Sequence, residues 1–362
     1  KLNQGLVLAM CRVIMLVITI LNVAASRTLP LRVMSWNVYW KALDDAHGQA
    51  AIVNAIDSAD QSGDVKYSFA AIIEASGDTP AGNVANWSQS SATLSAMKSV
   101  AYRSGYEDVA IFFDAARWEL VGEPFGGAFE TGRPFLLAQF AEKQTQAKTG
   151  EPSSLAQKKG TKQRAVTNAS TVKTVWVLAV HLNHFFLNPP ALDPVEPGKV
   201  LASFLANVSS ATGVSLAADD VPLLMMGDWN EYMWADFPQP YRATAATDMS
   251  HLWVGYLLGK MSDAVPPRTT SCCTKWSRAD RATRSEWIFQ YDHIFFSHSA
   301  LQLTPSGWNA SGATAPFLPY VYPGTAATCA DPACTGQDPP KNQSTVMQGS
   351  WHRGVEATFA LL

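Results

Sequence analysis

The chain has 362 residues, 47% of them hydrophobic and 16% charged, with 23 Gly and 21 Pro. That composition suits a packed globular core and excludes a disordered tail, a collagen and a coiled coil. Lys and Arg number 27 against 30 Asp and Glu, a net charge of −3, which argues against coating nucleic acid or anionic lipid by bulk charge and leaves room for a local basic site.

The first segment is a separate object. Residues 6–25 are almost wholly apolar, with Lys1 ahead of them and Arg12 within, and Val23-Ala24-Ala25 supplies the small residues of a signal-peptidase site. The pattern predicts a cleaved signal peptide over residues 1–25 and a secreted or lumenal protein. An uncleaved membrane anchor is the alternative, against which Arg12 counts, and a buried N-terminal helix is a third. The start at Lys1 rather than Met suggests a trimmed or partial sequence. Asn-x-Ser sequons at Asn86, Asn168, Asn207, Asn309 and Asn342 point the same way. Cys11 would leave with the signal, and Cys272, Cys273, Cys329 and Cys334 remain as an even set. Disulfides crossing between these two clusters are expected in preference to zinc, because no His stands at finger-like spacing.

From residue 29 onward, short apolar runs bounded by turn residues predict strands at 31–37, 69–74, 109–114, 118–121, 135–140, 174–181, 221–227, 292–297 and 354–361. Helices are predicted at 46–59 and at 198–210, the second with Val200, Leu201, Phe204, Leu205 and Val208 on one face. This order favours two packed sheets in an α/β layered domain over strict βαβ repetition. Two stretches read as inserted loops within a single domain spanning 29–362. The segment 142–173 is polar and basic, a solvated loop or a contact for nucleic acid or membrane, and 306–350 is rich in Pro, Gly, Ala and Thr.

The chemistry-bearing residues gather at strand ends. Gly227-Asp228-Trp229-Asn230 follows an apolar strand, so its polar groups emerge at a carboxyl end, where ligand sites collect in α/β sheets. Ser35-Trp36-Asn37 ends the first strand, Ile72-Ile73-Glu74 the second, and Ala179-Val180-His181-Leu182 a later one. Tyr291-Asp292-His293-Ile294 opens a strand, and Ser350-Trp351-His352-Arg353 precedes the last. Each has an ordinary structural explanation when taken singly: a turn, a solvated strand end, a satisfied core histidine.

In this order and at these termini, the six stations resemble the endonuclease/exonuclease/phosphatase superfamily, and within it the deoxyribonuclease I-like branch, over residues 31–362. The resemblance implies a four-layered αββα sandwich, two mixed sheets flanked by helices, that hydrolyses phosphate esters with a divalent cation. Magnesium is the expected ion, with manganese or calcium as alternatives, and an oxygen-rich site suits such hard cations. By the same resemblance Glu74 and Asn37 bind or orient the metal, with Asp228 beside them. Asp228 and Asn230 would align the attacking water and hold a phosphate oxygen, and Asp292 would pair with the catalytic His352. The family leaves open whether the base is this histidine or this aspartate. In the nuclease branch Glu107 would pair with His181, which protonates the leaving alkoxide. Arg133 and Asn183 would contact the substrate. No nucleotide cofactor is implied, and a monomer is expected.

The sequence departs from that pattern in places. Trp351 stands where the superfamily's closing motif carries a metal-binding Asp. Ser76 replaces an arginine that reaches DNA in the nuclease branch, and a tyrosine expected near Gly105 is displaced to Tyr106. Three readings follow. The first is a secreted or lumenal nuclease; the second is a sphingomyelinase-like phosphodiesterase acting on a lipid headgroup. The third is a weakly active or inactive binding protein on the same fold.

Overall fold

The computed structural model describes residues 30–63, 65–129, 132–143, 173–182, 206–213, 221–229, 262–263, 292–297, 299–304, 352 and 354–362. The N-terminal apolar segment, all five cysteines, Asn183, Asn230, Trp351, most of both predicted insertions and the sequons at Asn168, Asn309 and Asn342 lie outside them.

Among the described residues, twelve strands form two six-stranded mixed sheets. The first holds β1 (Leu31–Asn37), β2 (Tyr67–Ile73), β3 (Lys98–Ser104), β4 (Glu107–Phe113), β11 (Leu301–Leu303) and β12 (Val355–Leu361), in the order β11-β12-β1-β2-β4-β3. The second holds β5 (Trp118–Ala128), β6 (Pro134–Glu142), β7 (Thr174–His181), β8 (Leu223–Asp228), β9 (Ser262–Asp263) and β10 (Asp292–Phe296), in the order β5-β6-β7-β8-β10-β9. Among the described strand pairs, only β1–β2 and β7–β8 run parallel.

The sheets pack face to face through alternate residues, as the two-residue period of a strand requires. Leu31 and Val33, Phe69 and Ala71, Val109 and Ile111, Val175 and Val177, Leu224 and Met226, and Ile294 and Phe296 share one buried cluster between them. Phe69, Phe113, Trp118 and Phe140 meet there at centroid separations of 4.8–5.1 Å, tilted rather than stacked.

The out-of-phase residues face helices. Met34, Trp36, Ala70, Ile72 and Phe112 lie under the helix Ala46–Ser62, which supplies Ile52, Val53, Ile56 and Ala59. Asp45 caps that helix by accepting from the N–H groups of His47 and Gly48. Arg32 would be an uncompensated charge on this face, but it donates to Ala59 O, Val65 O and Glu356 Oε2, joining helix to sheet. On the far side, Val208 from a helix over 206–212 packs with Leu178, Met225, Trp229 and Phe295. The layer order is therefore the four-layered αββα sandwich.

Most predicted strands appear with ends moved by one to three residues, and β1 and the Thr174–His181 strand match outright. Trp118–Ala128 runs well past the predicted 118–121, with a register shift between Val121 and Phe125. Lys98–Ser104 was not predicted. It is an edge strand whose Lys98, Ser99 and Arg103 face solvent, and charge at an edge hides the apolar signal while blocking further pairing.

Candidate active site

The alternation that builds the inter-sheet core also aims the polar residues. Asn37 lies two residues beyond Ser35, Glu107 two before Val109, His181 two after Ala179, Asp228 two after Met226, and Asp292 two before Ile294. All are therefore in phase with the buried face. Strand direction then gathers them at one end of the sandwich. β1, β2, β7 and β8 finish there, and the antiparallel β4, β10 and β12 begin there. Asp228 is in register with both His181 and Asp292.

The motif glycine has a steric cause. A side chain at Gly227 would overlap the carbonyl oxygen of Val180, its register partner on β7. Only glycine lets the two strands approach closely enough to set Asp228 beside His181.

Asp228 is the centre of the cluster. Its Oδ2 accepts from Asn37 Nδ2 at 2.9 Å and lies 3.4 Å from His181 Nε2 and 3.6 Å from His352 Nε2. The other ring nitrogen of each histidine faces a carboxylate. His181 Nδ1 is 2.8 Å from Glu107 Oε2, and His352 Nδ1 is 2.8 Å from Asp292 Oδ2. Asn37 Nδ2 also donates to Glu74 Oε1 at 3.1 Å, so one amide bridges the two carboxylates, while its Oδ1 accepts from Tyr39 N. Arg133 contacts His181 Nε2, donates to Leu182 O and lies 3.8 Å from Glu107. Eight of the sequence candidates thus meet: Asn37, Glu74, Glu107, Arg133, His181, Asp228, Asp292 and His352.

Glu74 sits just past β2 with φ 54, and Tyr39 just past β1 with φ 60, the two positive-φ residues other than glycine among those described. Left-handed backbone at side-chain-bearing residues is costly and concentrates where function needs it. The Glu74 turn is held by Asp108, whose Oδ1 accepts Ser76 N at 2.7 Å and whose carbonyl accepts Ala75 N. Ser76 is buried and accepts Val84 N through Oγ. The position where the nuclease branch carries an arginine is thus structural in this chain. Tyr106, by contrast, is 85% exposed in the β3–β4 turn.

Burial would lower the pKa of His352, but the carboxylates of Asp292, Asp228 and Glu74 outweigh it and push it up to about 9. Burial works against ionisation of Glu107, yet its hydrogen bond and charge contact with His181, helped by Arg133, hold it below the usual range. Burial and then the Glu74 charge push Tyr39 up to about 12.

A stability prediction follows for the cation-free protein. An imidazole at about 9 when folded and near 6.5 when unfolded stabilises fully below pH 6.5, and that contribution disappears as pH rises through about 9. Urea unfolding in chelator at pH 6 and pH 9.5 should show this loss, and His352→Gln should show less of it. An equal pH dependence in the variant would contradict the assignment.

The donor set fits a hard divalent cation. Glu74 and Asp228 converge on one amide, and Glu74–Glu107–His181 and Asp228–Asp292–His352 each bring three donor atoms within 4.8 Å of one another. Among the described residues, four carboxylates and two imidazoles converge there, an oxygen-rich set of the kind such cations prefer.

Sequence reasoning passed over Trp36. It lies on the helix-covered face, buried, and its Nε1 donates to the backbone carbonyl of His352 at 2.9 Å. The signal was in the quoted Ser35-Trp36-Asn37, but nothing local reveals a partner 316 residues away. Trp36→Phe keeps most of the ring and removes the donor, worth about 1 kcal/mol. It should lower kcat roughly fivefold with KM unchanged. A wild-type kcat would show that this bond does not position His352.

No known protein family and no curated protein matches the sequence. Solved structures are similar at low identity. The human Nocturnin catalytic domain with bound sulfate is 15% identical, over 92% of this chain and 94% of that one, with TM-score 0.45. TDP2 from D. rerio, complexed with a single-strand DNA product, is 14% identical, over 92% and 100%, at 0.42. An endonuclease/exonuclease/phosphatase family protein from Bacteroides thetaiotaomicron is 12% identical, over 91% and 95%, at 0.45. At these values the likenesses carry no substrate across, and the layer order rests on the sheets themselves.

Proposed function

We propose that this chain is a divalent-cation-dependent phosphodiester hydrolase acting on nucleic acid, with magnesium as the expected ion. One observation supports it above the others: two imidazoles, each backed by its own carboxylate, present Nε2 to the same oxygen of Asp228. Carboxylate-backed histidines on either side of an acidic centre are suited to moving one proton onto a leaving group and another off a nucleophile.

In this reading Glu74 and Asp228, oriented by Asn37, would hold the cation, which would supply neutralisation of charge on the phosphate oxygens. Within the Asp228–His352 pair it is Asp228 that takes the proton of the attacking water, since His352 is already an imidazolium, and Asp292 keeps Nδ1 of that ring in place. Entry of a phosphate draws Arg133 off His181 and frees Nε2. The freed Nε2 takes up a proton from solvent, and His181, with Glu107 stabilising its imidazolium, then gives that proton to the departing sugar oxygen. Asn230 and Asn183 would complete the substrate contacts, and Trp351 would leave the cation one carboxylate short of the usual pattern. The secreted or lumenal location is proposed on the N-terminal apolar run and the sequons.

The test incubates the purified protein with single-stranded DNA, duplex DNA, RNA and sphingomyelin vesicles, each with magnesium and with chelator. Cleavage of nucleic acid that chelator abolishes is expected. Hydrolysis of sphingomyelin alone would replace this reading with a lipid phosphodiesterase. No hydrolysis of any substrate would leave the binding protein.

A further inference from the structure

The chain leaving β1 passes Asn37 and Glu74 before it turns into the helix Ala46–Ser62, and it is pinned to the site at each step. Val38 N donates to Ile73 O at 3.0 Å, Tyr39 N to Asn37 Oδ1 at 3.0 Å and Trp40 N to Glu74 Oε2 at 3.2 Å. Trp40 then opens a single 3-10 turn, Trp40–Asp44, closed by Ala42 N on Tyr39 O. Tyr39 adopts its positive φ to make this path. The backbone of Trp40 is thus fixed against a carboxylate of the site.

The indole itself is not used by the core. Among the described residues, Trp36, Trp87, Trp118, Trp176 and Trp229 are buried and Trp40 is not. Its ring lies 6.4 Å from that of Tyr39, tilted by 52°, and exposed Lys41 holds Nζ 5.0 Å from the ring centroid. A partly open indole and a cation, on neighbouring residues whose backbone is bonded to Glu74 of the proposed phosphate site, match a nucleotide: a flat base one sugar away from its phosphate, with the next phosphate beyond. A lipid surface is matched less well, since a single half-buried ring with an ammonium over it offers little apolar area to a membrane.

We propose that Trp40 and Lys41 form a docking platform for the base beside the scissile phosphate, so that the chain prefers nucleic acid whose bases are unstacked. This rests on the phosphodiesterase reading and names its substrate class. Lys41 swings from the ring to the adjacent phosphate as the base stacks on Trp40. A paired, stacked duplex cannot offer its base this way without local opening.

The experiment measures binding of fluorescein-labelled oligo-dT in chelator by anisotropy, and cleavage of the same oligomer with magnesium. Trp40→Ala should weaken binding about tenfold and Trp40→Phe less, since stacking tolerates any aromatic face. With an oligomer abasic at and around the cleaved position, the Trp40→Ala defect should disappear, which a folding defect would not reproduce. An equal defect on the abasic oligomer, or wild-type binding by Trp40→Ala, overturns the platform. So does a loss confined to sphingomyelin vesicles, which would make Trp40 a membrane contact. If the wild-type protein cleaves oligo-dT while Trp40→Ala cleaves it equally well, the platform alone fails. If the wild-type protein neither binds nor cleaves nucleic acid, the phosphodiesterase reading on nucleic acid fails with it.

Discussion

Replacing His352 with Ala lowers turnover on a phosphodiester by about 10²-fold or more, the ordinary value of a positioned acid–base group. The expectation comes from geometry on both sides of the ring. Nδ1 is committed to Asp292 at 2.8 Å and Nε2 faces Asp228 at 3.6 Å, so the imidazole joins two carboxylates. His181→Ala should cost a similar factor through the opposite end of the reaction, and it should be rescued in part on substrates with a good leaving group, which need no proton. His352→Ala should show no such rescue. If Asp292 works with His352 as one unit, adding Asp292→Asn to His352→Ala should cost little more, as such groups are strongly non-additive. Steady-state rates on an ordinary diester and a p-nitrophenyl diester distinguish these outcomes. Wild-type turnover in either histidine variant would remove that residue from the mechanism.

Glu74→Gln should abolish stabilisation by the cation. A ligand that binds only the folded state at 100 times its dissociation constant adds about 2.7 kcal/mol, read as the melting temperature in magnesium minus that in chelator. In Glu74→Gln that difference should collapse, because the amide keeps the shape and removes the charge that faces Asn37 and Asp228. The protein in chelator should melt no lower than wild type, since the substitution relieves repulsion among four carboxylates. A full magnesium-induced shift in Glu74→Gln would move the cation away from this residue. Repeating the titration with manganese and calcium tells which ion the site prefers.

How far the chain could be read without its fold is best judged from particular residues. The strand 174–181 was legible because Val175, Val177 and Ala179 alternate into the core, and that same alternation already put His181 on the inward face. The Lys98–Ser104 strand was not legible, because an edge strand with one solvated face loses its apolar pattern. Glu107 was the hardest of the site residues. Locally it is a charge at the mouth of a hairpin, and only the packing of β4 against β7 brings it to His181.

The amino-acid order determined which core segments are strands, which of their faces are buried and which polar groups stand at their ends, since these depend on a period of two along one short stretch. Tertiary structure decided the partners. Glu107 with His181, Asp292 with His352, Trp36 beneath His352 and Asn37 between Glu74 and Asp228 each join stretches far apart in the chain. Such pairings are fixed by sheet register and by how two sheets stack, long-range choices made by the whole core that leave no local trace in the residues they bring together.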